Sequence, residues 1–204
     1  MPWLNLLLAV TAVAVAWSLR PWRAVQELPW PALAWWALLP LFWSVDLLSA
    51  QPVVQPLAGS CLLMLMLGWP MAVLLLLPVA AGVLLLTDAT LAEALHRLVW
   101  LGLVPMSLAL GLGAALRRWL PKHLFVYILG RGFFATGVAV SVAGALSAAL
   151  HGGPAGVATE DLVLARVLAA SGDAFITGML VAIFVAFRPQ WLATYTDRLY
   201  LPKP

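Results

Sequence analysis

Seven long apolar stretches follow one another through this chain, at 3–19, 29–48, 53–68, 70–87, 98–116, 124–150 and 162–187, joined by short polar connections. Backbone in lipid has no water to satisfy its N–H and C=O groups, so such stretches must satisfy them internally, as helices do. At about 1.5 Å rise per residue, some 20 residues cross the roughly 30 Å hydrocarbon core. Hydrophobic residues make up 64% of the 204 and charged residues 9%, with mean hydropathy +1.02, too little polar surface to coat a soluble globule. The reading is an all-α polytopic membrane protein: one integral domain over 1–204, with the lipid bilayer as its first partner.

Charge orients the spans. Seven crossings put Arg20, Arg23, Arg117, Arg118, Lys122, Arg188, Arg198 and Lys203 on one side, and Arg97 alone on the other. The positive-inside rule then predicts the N-terminus outside and the C-terminus cytoplasmic, as expected in a bacterial inner membrane. The same placement accounts for a pI of about 9.5 without nucleic acid, because the basic residues lie beside apolar segments. The first segment lacks a basic n-region and reads as an uncleaved anchor, with Ala12 and Ala16 on a small-residue face.

Several segments carry local signals. Trp30, Trp35, Trp36 and Trp43 predict headgroup anchoring at both ends of the second span, and Asp46 reads as a solvated carboxylate at its outer end. Gly68-Trp69-Pro70 predicts a tight turn between the third and fourth spans. Cys61, Met64 and Met66 could serve as soft ligands, or simply as packing residues. Thr90-Leu91-Ala92-Glu93 has capping-box spacing. Glu93 and His96 then share a helix face, either as a fragment of a metal site or as a solvated turn; His151 is the third candidate ligand, with Asp88, Glu160 and Asp161 also on the outer side. Pro105 predicts a kink, with Ser107, Gly111 and Ala115 as a close-packing stripe, and Gly130, Gly137 and Gly144 recur every seven residues as a packing groove.

The last segment carries charge where lipid tolerates it least, at Arg166 and Asp173. Seven residues apart, they stand about two turns from each other, so each is expected to pair with a neighbouring helix. Arg131 is the expected partner of Asp173. Arg131, Arg166 and Asp173 form either an ion network that fixes packing or a path for coupled ions.

Gly172-Asp173-Ala174-Phe175-Ile176-Thr177-Gly178, an apolar run and then Arg188-Pro189-Gln190-Trp191-Leu192 resemble the closing signature of the CbiM/NikM family, the substrate-capturing membrane components of energy-coupling-factor cobalt and nickel importers. The family pattern is Gly-Glu-x-x-Ile-Thr-Gly, an apolar run and Arg-Pro-x-Leu-Leu. The motif residues Gly172, Asp173, Ile176, Thr177, Gly178, Arg188 and Pro189 thus match it, with Asp in place of Glu and with Trp191 interrupting the final Leu-Leu pair. The resemblance implies uptake of a transition metal ion with a separate scaffold subunit and ATPases, and no intrinsic cofactor. The family also opens with Met-His-Ile-Pro-Asp-Gly, whose amine, backbone nitrogen and histidine hold the ion. This chain opens Met1-Pro2-Trp3, where Pro2 has neither an amide hydrogen nor an imidazole, so that ligand set cannot be carried over.

Three functions are compatible with the residues: a permease component for a small solute, a non-transporting membrane scaffold or assembly factor, and an ion-coupled carrier. No P-loop is present, so ATP energy would come from other chains, and no HExxH or Ser/His pairing points to an enzyme.

Overall fold

A computed structural model describes residues 2–23, 29–49, 55–152, 159–196 and 200. Most of those residues are helical, and none is in a strand. We number the helices α1 (Pro2–Ser18), α2 (Trp30–Leu48), α3 (Ser60–Leu67), α4 (Trp69–Leu86), α5 (Leu91–Trp119), α6 (Val126–His151) and α7 (Thr159–Phe187). Among the described residues, six of these are long and apolar enough to cross a membrane; α3 is not.

The third expected span, 53–68, is therefore corrected. Residues 53 and 54 lie outside the described residues, 55–59 are not helical, and α3 has eight residues, about 12 Å of helix. All eight are buried, enclosed by the longer helices. Backbone that is not helical is tolerated at membrane depth only inside protein, and this segment meets that condition. It runs from one end of the bundle to the other: Gln55 lies near Arg166 of α7, whereas the carbonyls of Leu65 and Met66 accept the amides of Thr194 and Ala193, beyond the far end of α7.

Two glycines make the path possible. Gly59 has φ +63°, and a Cβ there would stand 2.5 Å from Leu39 Cδ2. Gly68 turns the chain from α3 into α4 with φ +79°, as the Gly-Trp-Pro signal predicts.

The tryptophans of α2 correct their expected role. Only Trp30 is broadly exposed; the Trp43, Trp35 and Trp36 indoles donate to the carbonyls of Ala58, Gly59 and Leu75 at 2.8, 2.9 and 2.7 Å. They hold backbone rather than headgroups. Pro78 has no N–H to return to the Leu74 carbonyl, so the helical ladder of α4 is interrupted next to the Leu75 carbonyl that Trp36 holds. Pro40 of α2 in turn packs against Gly82 of α4, where an added Cβ would approach to 2.9 Å.

α5 starts earlier than the expected 98, at Leu91, because the capping box forms: Glu93 N donates to Thr90 Oγ1 at 3.3 Å and Thr90 N to Glu93 Oε2 at 3.4 Å. Its middle widens over Leu98–Leu103 to an i→i+5 ladder, closed by Val104 N to Val99 O. Pro105 has no N–H to return to the Leu101 carbonyl, which accepts the Ser60 hydroxyl at 2.8 Å. The stripe of Ser107, Gly111 and Ala115 is less packed than expected, since nothing lies within 4 Å of a Cβ at Gly111.

α6 and α7 pack closely at Gly137 and Gly144 of the predicted groove, whereas Gly130 faces α5, where an added Cβ would stand 3.3 Å from Leu116 Cδ1. A Cβ on Gly137 would lie 3.2 Å from Ala174, and one on Gly144 3.2 Å from Arg166 Cβ; Gly132 faces Val181 and the Gly178 backbone. The motif residues follow this helix face. Asp173, Ala174, Thr177 and Gly178 are buried, Gly172 is exposed and Ile176 is intermediate. Arg188, exposed, returns its amide to Phe184 O at 2.8 Å, and Pro189 opens a short turn, Pro189–Trp191. Arg198 and Lys203 lie outside the described residues.

Candidate functional site

The charged residues of the apolar segments separate into three places. Asp173, 3% exposed, sits at the middle of α7 and turns inward, where its Oδ1 and Oδ2 accept the amides of Gly59 and Ala58 at 2.8 and 3.0 Å. Gly59 is the N-cap of α3 and offers no side chain to the free amides of that helix end. The carboxylate instead accepts the two amides that lead into that end and places negative charge near the positive end of the helix dipole. Arg131 is not its partner, contrary to expectation: it lies beside Gly113 at the other end of the bundle, with Nη1 3.4 Å from Thr194 O and its guanidinium over the Tyr127 ring. Asp173 needs acceptor-seeking amides rather than a cation, and the non-helical backbone of 58–59 presents two.

Arg166 stands at the third place. Its Nη1 donates to Gly144 O at 2.6 Å, and it lines a cavity of about 190 Å³ between the ends of α2, α5, α6 and α7. The expected single network of Arg131, Arg166 and Asp173 is therefore absent among the described residues. Their one ion pair joins Arg97 to Asp46, through Nη1–Oδ1 and Nη2–Oδ2 contacts of 2.8 and 2.7 Å; Arg97 also donates to Trp43 O. Asp46 is thus no solvated carboxylate. It neutralises a guanidinium that α5 carries below the surface.

Glu93 and His96 also line the cavity, with Gln55, Ser147 and Trp100. His96 is half-buried, its Nε2 3.4 Å from Ser147 Oγ, so Glu93 and His96 form a cavity wall in place of a solvated turn. His151 packs edge-on against His96 with ring centroids 4.7 Å apart. Neither nitrogen of the His151 ring has a hydrogen-bond partner among the described residues. Trp100 closes the wall beside the two imidazoles and is itself fixed by Nε1 donating to Asn5 Oδ1 at 3.0 Å.

Of the sequence candidates, Glu93, His96, His151 and Arg166 are thus brought together, and Asp173 and Arg131 are not. Among the described residues no three His, Cys, Asp or Glu side chains converge as a metal-binding group. Glu93 is partly engaged by the Thr90 amide, and Cys61, Met64 and Met66 are buried in the core. Gln55, Ser147 and the Asp46–Arg97 pair were missed. The available signal for the pair was opposite charge near two span ends expected on one side.

The chain matches no family model, no curated protein and no solved structure.

Proposed function

We propose that this chain is the solute-binding membrane component of an importer, with its cavity open to the outside and its driving energy supplied by separate scaffold and ATPase subunits. The cavity is the observation that carries this reading. A polar recess occupies one end of an otherwise apolar bundle, and below it the core is closed by α3 and the backbone that Asp173 holds. A binding site open at one face and shut at the other suits capture before translocation.

Orientation is part of the proposal. Arg20, Arg23, Arg117, Arg118, Lys122 and Arg188 lie at the end opposite the cavity, so the positive-inside rule puts that end in the cytoplasm of a bacterial inner membrane. Counting the segment that contains 55–67 as a seventh, partly unwound crossing places Pro2 outside. The closing motif's likeness to CbiM/NikM components supports the same assignment and suggests cobalt or nickel as cargo. The adjacent His96 and His151 rings favour that cargo, whereas the Arg166 guanidinium and the missing third ligand do not.

Binding distinguishes this reading from a scaffold that merely keeps the fold. The purified chain should be screened by thermal unfolding against small polar solutes and against cobalt, nickel, copper and zinc salts, with metal content read by elemental mass spectrometry. A solute or ion that stabilises the wild type but not the folded Glu93→Ala/His96→Ala/His151→Ala variant is expected. If none stabilises the intact protein, the importer reading fails and a scaffold role takes its place.

A further inference from the structure

Among the described residues, Arg166 is the cavity's one guanidinium that contacts no carboxylate. Arg97, the other guanidinium there, has both of its Nη atoms committed to Asp46, so that pair is electrically neutral. Arg166 has only the Gly144 carbonyl, through Nη1, and its buried Nε has no partner. No carboxylate reaches it among the described residues, and the segments 50–54 and 153–158 contain no acidic residue. A cation held half-buried beside a polar cavity, with hydrogen-bonding capacity left over, calls for an anionic acceptor.

The geometry points to a small carboxylate-bearing solute as the ligand of this cavity, its carboxylate on Arg166; this rests on the solute-capture reading above. A planar carboxylate matches the planar fork of a single guanidinium. A phosphate dianion would want a second free cation, but Arg97 is already neutralised, and the nearby Glu93 carboxylate would oppose the extra negative charge. A divalent metal ion would bring its charge up to Arg166 with two imidazoles as its best ligands. The rest of the solute would find Gln55 and Ser147 as hydrogen-bonding groups and Trp100 as an apolar wall.

The test is calorimetric titration of the full chain in detergent with propionate, lactate, pyruvate and benzoate, each set against its own neutral amide. Carboxylates are expected to bind at least about tenfold more tightly than the amides, as hydrogen bonds to a charged partner imply, and Arg166→Gln is expected to abolish that preference. Arg166→Lys keeps the charge without the fork. It should retain a weakened preference, which serves as the readout if Arg166→Gln does not fold. Amides binding as well as carboxylates, or a preference untouched in the Arg166 variants, overturns the assignment. Cobalt or nickel binding that depends on His96 and His151, with no carboxylate preference, overturns it while leaving solute capture standing. Binding of neither class to folded protein overturns both.

Discussion

The carboxylate of Asp173 accepts the backbone amide of Gly59 at 2.8 Å across 114 residues of sequence, and so holds the backbone that leads into a helix from which it is far removed in the chain. An acidic residue deep in an apolar segment invites a search for its counter-ion. Here its partners are peptide groups, which leave no trace in side-chain composition.

Asp173→Asn turns one oxygen into a donor that faces a donor. With Ala58 N or Gly59 N left unsatisfied in a buried site, the variant is expected to lose about 2 kcal/mol. Denaturation of the purified protein measures the loss. In a double-mutant cycle with Arg131→Met, the coupling should lie within about 0.5 kcal/mol, as for distant sites. Strong coupling would restore the ion pair that the sequence suggests.

Gly59→Ala combines a left-handed φ with a Cβ 2.5 Å from Leu39 Cδ2. It should impair folding, whereas Gly172→Ala, with open space around it and a helical backbone, should be neutral or slightly stabilising. Accumulation of the two variants in membranes and their detergent-extracted monodispersity compare them directly.

Arg97→Met leaves Asp46 without its partner beside the cavity and is expected to cost about 3 kcal/mol. Removing both charges, as Arg97→Met/Asp46→Leu, should recover most of that loss. A double variant as unstable as the single one would mean that Arg97 acts through its packing or through its bond to Trp43 O.

Orientation can be read by labelling. Cys61 is 2% exposed and should stay silent toward a membrane-impermeant maleimide, so single cysteines can be added to the natural chain. Asp88→Cys should label in intact cells and Arg117→Cys only after permeabilisation. The reverse pattern inverts the topology.

Much of the architecture was legible because apolar length and capping act locally. The bounds of α1, α2, α4 and α7, the Thr90 capping box, the Gly68 turn and the Gly137–Gly144 groove all follow from residues close in sequence. That the predicted span 53–68 reduces to a short buried helix after a non-helical stretch at 55–59 was not legible, because its apolar composition is that of any buried segment and its unwinding depends on acceptors and donors from other helices. The indoles of Trp35 and Trp43 show the same limit: tryptophans near span ends ordinarily signal an interface, and only the fold reveals carbonyls within their reach. The cavity was half visible. His96, Glu93 and Arg166, with His151 beside His96, stood out as polar residues in apolar surroundings, but the pairing of Arg97 with Asp46, which leaves Arg166 as the guanidinium without a carboxylate contact, is a matter of geometry alone.

The unwound stretch at Ala58 and Gly59 also imposes an order on biogenesis. Its amides emerge from the ribosome long before Asp173 is synthesised, and until then the membrane interior offers them no acceptor on α7. A nascent helix can partition into lipid alone because its backbone is already satisfied; this segment cannot. It must wait at the wet boundary of the bilayer until α7 has been made. α7 therefore admits the third apolar segment to the core, and a chain cut short before residue 173 should leave that segment at the surface.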